Sequence, residues 1–197
     1  MQITREAVMG ANEITEDALQ IDLLNGAGVI RYGGSATSTA TISGETGSVS
    51  LATYEDLMRL SIDLDDNRTP KNTKMITGTR LVDTKTVYGA RFMYVGNELI
   101  PMLRRMTDLF SNEAFIPVQK YAAAGETAVG EIGSIDQFSI IAVPEMQPWA
   151  GVGDAVSTNA GYRETGGTYN VHTMLVMCDV SFHTIGLHMN VTLVKFC

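Results

Sequence analysis

His172, Cys178, His183 and His188 are residue types that could hold zinc, and all lie toward the C-terminal end of the chain. Their separations of five or six positions match no paired-ligand arrangement. In an extended segment His172, Cys178 and His188 also share one parity while His183 faces the other way, so they read as ordinary, partly buried side chains. Asp63, Asp65, Asp66 and Asn67 form a second cluster, of a kind that suits calcium. A calcium loop counted from Asp63 needs glycine at its sixth position and glutamate at its twelfth, where this chain has Arg68 and Lys74. The cluster therefore reads as a solvated acidic turn before Pro70. Glu16 with Asp17 and Glu126 with Glu131 are paired carboxylates, but nothing in their spacing places them in a cleft. There is no GxSxG, neither Cys178 nor Cys197 has the surroundings of a catalytic thiol, and the glycines between 33 and 50 form no phosphate-binding motif. The sequence nominates no catalytic, cofactor-binding or metal-ligating residue, and no enzyme or cofactor is expected. An alternative is an α+β enzyme or ligand-binding domain working through the loop from Trp149 to Thr168, with Asp154 and Arg163 as its reactive groups. Trp149 beside Pro148 could stack on a ligand, but reads more simply as a buried anchor or an intersubunit contact.

The composition narrows the partners. With 22 acidic against 14 basic side chains the formal net charge is -8, the reverse of a protein that coats nucleic acid. Arg104 and Arg105 are the closest approach to a basic cluster and read as an exposed helix face. Two cysteines without a framework suggest a reducing compartment or indifference to redox state. No apolar run has the length of a membrane span and MQITREAV is not a signal peptide, so a soluble chain with no membrane partner is expected.

Several elements are legible from periodicity. Ile3, Ala7, Ala11, Ile14, Ala18 and Ile21 recur at helical spacing, and Asn25-Gly26 gives a stop, which predicts a long first helix. Residues 33–52 are mostly glycine, serine and threonine and read as a flexible or surface-exposed connector. Thr53 with Asp56 has the pattern of a capping pair for a second helix that buries Tyr54, Leu57, Met58 and Leu64. Strands are expected at Thr73 to Thr79 and Val87 to Val95, followed by a helix from Glu98 to about Phe110, capped by Asn97, with Leu99, Leu103, Met106 and Phe110 on one face. Alternation at Tyr169, Val171, Thr173, Leu175 and Met177, and again at Ile185, Leu187, Met189, Val191 and Leu193, predicts two strands or a hairpin. The order of elements is that of an α+β domain.

Between Phe115 and Met146 a strand start, Phe115, Ile116 and Val118, runs into glycines 125, 130 and 133 and then an apolar run from Ile135 to Val143. Glycines at that density set backbone shape. The segments FIPVQKYA and GEIGSIDQFSIIAVPE, in order after NRTPKNTKMITGTRLVDTKTV and ARFMYVGNELIPMLRRM, resemble the major capsid proteins of the N4-type tailed phages over Met1 to about Met146, and YNVHTMLVMCDVSF is compatible. The resemblance implies an HK97-like fold with a long spine helix and a mixed α/β axial domain. It implies a spine helix of a peripheral domain at residues 1–32, a connector at 33–52, an axial-type core at 53–146, and a glycine-rich loop with returning strands at 147–197. It further implies a subunit that self-assembles in hexamers and pentamers into an icosahedral shell around double-stranded DNA. The partners would be other copies, decoration, scaffold or portal proteins, and packaged DNA bound without specificity. Such a subunit is made in the host cytoplasm and resides in the virion capsid. A cellular nanocompartment shell of the same fold is the alternative. The family's N-terminal arm and extended loop are not found in these residues, and the chain starts in a helix and stops in a strand, so it reads as a fragment.

Overall fold

The computed structural model describes residues 2–76, 84–88, 90–121, 127–158, 163–178, 181–187 and 191–196. They fall into two compact units, one of Met1–Gly28 with Val180–Cys197 and the other of Val29–Asp179.

The first unit contains helix α1 (Gln2–Asn25) and a hairpin of β10 (Phe182–Leu187) and β11 (Val191–Phe196). At 24 residues α1 is about 36 Å long and closes with the Gly26 amide donating to the Asp22 carbonyl, at the stop the sequence marks. Its apolar stripe is not buried in this chain. Ala7, Ala11, Ile14, Ala18 and Ile21 are exposed, whereas Leu23 is buried and Leu19 and Leu24 are half-buried. The side chain of Ile3 is outside the described set. The single strand expected from Ile185 to Leu193 is instead the two arms of this hairpin, with Ile185 paired with Leu193 and Leu187 with Val191, while Met189 lies outside the described residues.

The second unit is built on a five-stranded sheet ordered β4 (Ile116–Pro117), β5 (Glu131–Ile135), β6 (Phe138–Ala142), β3 (Arg91–Val95) and β9 (Met174–Met177). β3 and β6 run parallel and the other neighbours antiparallel, which makes the sheet mixed. Helix α2 (Tyr54–Asp66) covers it, with Leu57 and Leu64 joining Met93, Val95, Leu103, Met106, Phe115, Ile135, Phe138 and Ile140 in one core. α2 starts as its sequence predicts. The Asp56 amide donates to the Thr53 hydroxyl at 3.3 Å, and the Thr53 amide donates back to the Asp56 carboxylate at 2.9 Å. Among the described residues no helix is long and apolar enough to cross a membrane. Mixed helix and sheet agrees with the expected α+β class.

Five further expectations change in detail. The strand expected from Tyr169 to Met177 is divided, its start lying in a small hairpin of β7 (Glu164–Thr165) and β8 (Thr168–Tyr169) and its end forming β9. The strand expected at Thr73 to Thr79 is β1 (Asn72–Ile76), with residues 77–79 outside the described set, and it pairs with β2 (Thr84–Tyr88). The single strand expected from Val87 to Val95 is two, β2 and β3. The helix expected to reach Phe110 is a single 3-10 turn (Asn97–Leu99) followed by α3 (Ile100–Arg104), and Gly96 rather than Asn97 precedes it. The helix stops there because the Asp108 carboxylate accepts the Phe110 and Asn112 amides at 2.8 Å each and so builds a competing turn. The apolar run from Ile135 to Val143 is folded on itself, with Asp136 at φ 50° turning β5 into β6 and Ile135 pairing with Phe138. Short polar residues tolerate that left-handed conformation.

Gly133 is the one glycine of the Phe115–Met146 stretch with a clear packing reason. A Cβ there would lie 2.5 Å from the Ile116 carbonyl oxygen and nearer still to the Phe115 ring. Only a bare backbone lets β4 close on β5 above Phe115. Pro117 pairs with Gly133 at the sheet edge, where its missing N–H leaves no central ladder broken. Gly125 lies outside the described residues.

Candidate functional site

The sequence candidates do not converge. His172 is half-buried in the loop before β9, and its burial lowers its pKa. The side chain of His183, and all of His188 and Cys197, are outside the described set. Among the described residues no group of three or more His, Cys, Asp or Glu side chains is close enough to hold a metal ion. The Asp63–Asn67 cluster is instead divided among cations. Asp63 pairs with Arg31 at 2.7 Å, and Asp65 with Lys71 at 2.7 Å and with Arg91 at 2.6 Å. Lys71 and then Arg91 hold the Asp65 carboxyl below its ordinary range. Arg91 is fully buried, and its guanidinium also donates to the Thr69 carbonyl at 2.8 Å. Both bonds come from Nη2, Nε reaches the Pro70 carbonyl at 3.4 Å, and Nη1 is buried without a hydrogen-bond partner among the described residues; the ion pair ties the end of α2 to the start of β3. Glu126 lies outside the described residues. Glu131 accepts the Tyr121 hydroxyl at 2.7 Å and the Ala128 amide at 2.8 Å, and burial followed by that carboxylate pushes the Tyr121 pKa up. Asp154 accepts the Ala155 amide, and Arg163 lies 3.6 Å from Glu98. Trp149 is half-buried and bridges backbone to backbone with Val171.

A carboxylate that the sequence did not single out organises the connector. Glu45 accepts the Ser157 amide at 2.6 Å, the Thr158 amide at 3.0 Å, the Thr158 hydroxyl, and the Tyr169 hydroxyl at 2.8 Å. The Thr158 hydroxyl, and then the Ser157 amide, hold its pKa down to about 2, while burial first and Glu45 second push Tyr169 up to about 12. Close backbone contacts continue the clasp. Asp154 donates its amide to the Ile42 carbonyl at 2.9 Å, and a Cβ at Gly153 would lie 2.8 Å from the Ile42 and Tyr169 carbonyl oxygens. The connector at 33–52 is thus largely exposed but pinned, where composition alone suggests free chain. Such a clasp holds shape and moves no proton at neutral pH, since both groups are pushed away from it.

Outward, the described surface carries apolar side chains at the tip of the loop after α3. Leu109 is 64% and Phe110 83% exposed, on a turn closed by the Thr107–Glu113 bridge. Neither was marked in the sequence as a surface residue, although Asp108-Leu-Phe-Ser-Asn carries turn formers at both ends.

No protein-family model matches the chain. It is, however, 52% identical over all 197 residues to the major capsid protein of Pseudomonas phage KPP21. This chain is similar to a phage major capsid protein. It spans 49% of that relative's length, so the capsid protein is about twice as long as the part described by the match. The similarity runs through both units, including the pinned connector and the C-terminal hairpin, and is not confined to the segments whose resemblance the sequence suggested.

Proposed function

We propose that this chain is a shell-forming part of a phage major capsid protein, of the N4-type group and HK97-like fold. The observation that carries the reading is the 52% identity across the whole chain to a protein of that name. The geometry supports it. Charged side chains are spent on holding segments together, as in the Glu45 clasp and the Asp65–Arg91–Lys71 pairs. On this reading α1 is the spine helix at 1–32, 33–52 the connector, 53–146 the axial-type core and 147–197 the returning loop and strands.

Copies meet in hexamers and pentamers through heterologous contacts that close into an icosahedral cage around double-stranded DNA. The exposed apolar stripe of α1 suits a subunit whose helix is covered only in the complete protein or its assembly. With a net charge of -8 the chain has little tendency to hold packaged DNA tightly. The protein is made in the host cytoplasm and ends in the virion capsid, where scaffold, portal or decoration proteins are its further partners. Expression of the full-length gene followed by sedimentation and negative-stain electron microscopy tests the reading. Closed shells or ring-shaped capsomers are expected, and shells filled with a host enzyme instead of DNA would assign the chain to a nanocompartment.

A further inference from the structure

We propose that the apolar stripe of α1 seats the other half of the full-length protein, folded onto it within the same subunit. The inference rests on the reading above that the chain is part of a longer capsid protein, and it commits the stripe to one occupant. Ala7, Ala11, Ile14, Ala18 and Ile21 run along one side of α1 for about 21 Å, and every one is exposed. Ile14 is 72% exposed, more than the other large apolar side chains of the helix. The burial that α1 does achieve lies elsewhere on its circumference. Half-buried Leu19 and buried Leu23 fall roughly 120–160° around the helix from the centre of the stripe.

The unit that holds α1 is short of partners. Among its described residues it has one helix and one two-stranded hairpin, and Leu23 is the one buried apolar side chain of the helix. A lone hairpin is marginal in water, and a helix in a protein draws most of its stability from packing its apolar side. Gly10 and the β-branched Thr4, Val8, Ile14, Thr15 and Ile21 leave α1 little to hold by propensity alone. Its cover must therefore be in place when the subunit folds.

That requirement selects the occupant. A neighbouring copy covers the stripe only after assembly, and until then the free subunit carries an unsupported helix with a bare apolar surface. The capsid protein that matches all of this chain is about twice its length, so as much chain again lies outside these residues, enough for a domain of its own. The stripe suits close cover. Alanine holds three of its five positions and nothing lies within 4 Å of a Cβ built at Gly10 on its margin, so another element can approach the backbone while Ile14 and Ile21 supply apolar area.

The experiment uses the full-length protein as unassembled subunits. Ile14→Asp lowers their thermal transition by at least about 3 °C. Ala11→Leu, neutral on a bare helix surface because the two residues have similar helix propensity, lowers it too by overfilling the contact. Glu13→Ala, exposed and off the stripe, leaves it unchanged. Ile14→p-benzoylphenylalanine, irradiated and mapped by mass spectrometry, cross-links within one subunit to a segment outside these 197 residues. Where Ile14→Asp fails to fold, that cross-link decides. A cross-link to another copy, or to a residue of these 197, overturns the proposal and leaves the shell reading standing, as do unchanged transitions for both Ile14→Asp and Ala11→Leu. Failure of the unaltered protein to form shells overturns the shell reading instead, since transition and cross-link are both read on the free subunit.

Discussion

Gly133→Ala turns one methyl group into a test of how the sheet edge is built. The added Cβ would stand 2.5 Å from the Ile116 carbonyl oxygen, and ordinary contact begins near 3.4 Å, so β4 and β5 must separate by 3.4 − 2.5 = 0.9 Å. Neither neighbour yields easily. One is backbone paired across the sheet, and the other is the Phe115 ring, 6% exposed within the core. Overpacking of this kind costs about 1–3 kcal/mol, and a weakened strand pairing adds about 1 kcal/mol. A total near 3 kcal/mol, at about 3 °C per kcal/mol for a chain of this size, lowers Tm by about 9 °C. Differential scanning calorimetry on the unassembled subunit reads it directly. Gly10→Ala is the control, because nothing lies within 4 Å of its Cβ and it sits inside α1, where alanine should stabilise by about 0.5–1 kcal/mol. Phe115→Leu in the Gly133→Ala background recovers part of the loss if the ring is half of the obstruction. A Gly133→Ala transition within about 1 °C of the unaltered protein refutes the packing argument.

The other predictions concern caps, clasp and core. Glu45→Gln lowers Tm at pH 7. Because the folded carboxyl sits near 2 against an ordinary 4.5, the stabilisation is full above 4.5 and disappears as pH falls toward 2, so the two melting curves should converge over that interval. A Tm difference that stays constant from pH 7 to pH 2 would contradict the clasp. Asp108→Ala frees the Phe110 and Asn112 amides, and hydrogen exchange there should speed up while amides in β3 are unaffected. Phe138→Ala, at 0% exposure between β5 and β3, should cost about 3–5 kcal/mol in urea unfolding.

Local signals were readable and distant ones were not. The capping pair of α2 lies three positions apart and the α1 stop is adjacent to its helix, so both follow from neighbouring residues. The early end of α3 depended on whether helix or side-chain turn wins at Asp108, two structures that the same apolar spacing permits. The Glu45 clasp joins residues 112 to 124 positions apart, a pairing that no local pattern encodes. Arg91 did carry a signal, a charge at the start of the apolar strand RFMYV, but its partners come from the turn after α2. The α1 stripe is apolar in its own sequence, while what covers it is not a property of that sequence.

The central claim, that this chain builds a viral shell, is tested most directly by electron cryomicroscopy of particles assembled from the full-length protein. Closed cages are expected whose wall contains the mixed five-stranded sheet with α2 packed on it, repeated around local five- and six-fold axes. A monodisperse monomer at high concentration, with no ring or cage in any preparation, would contradict it.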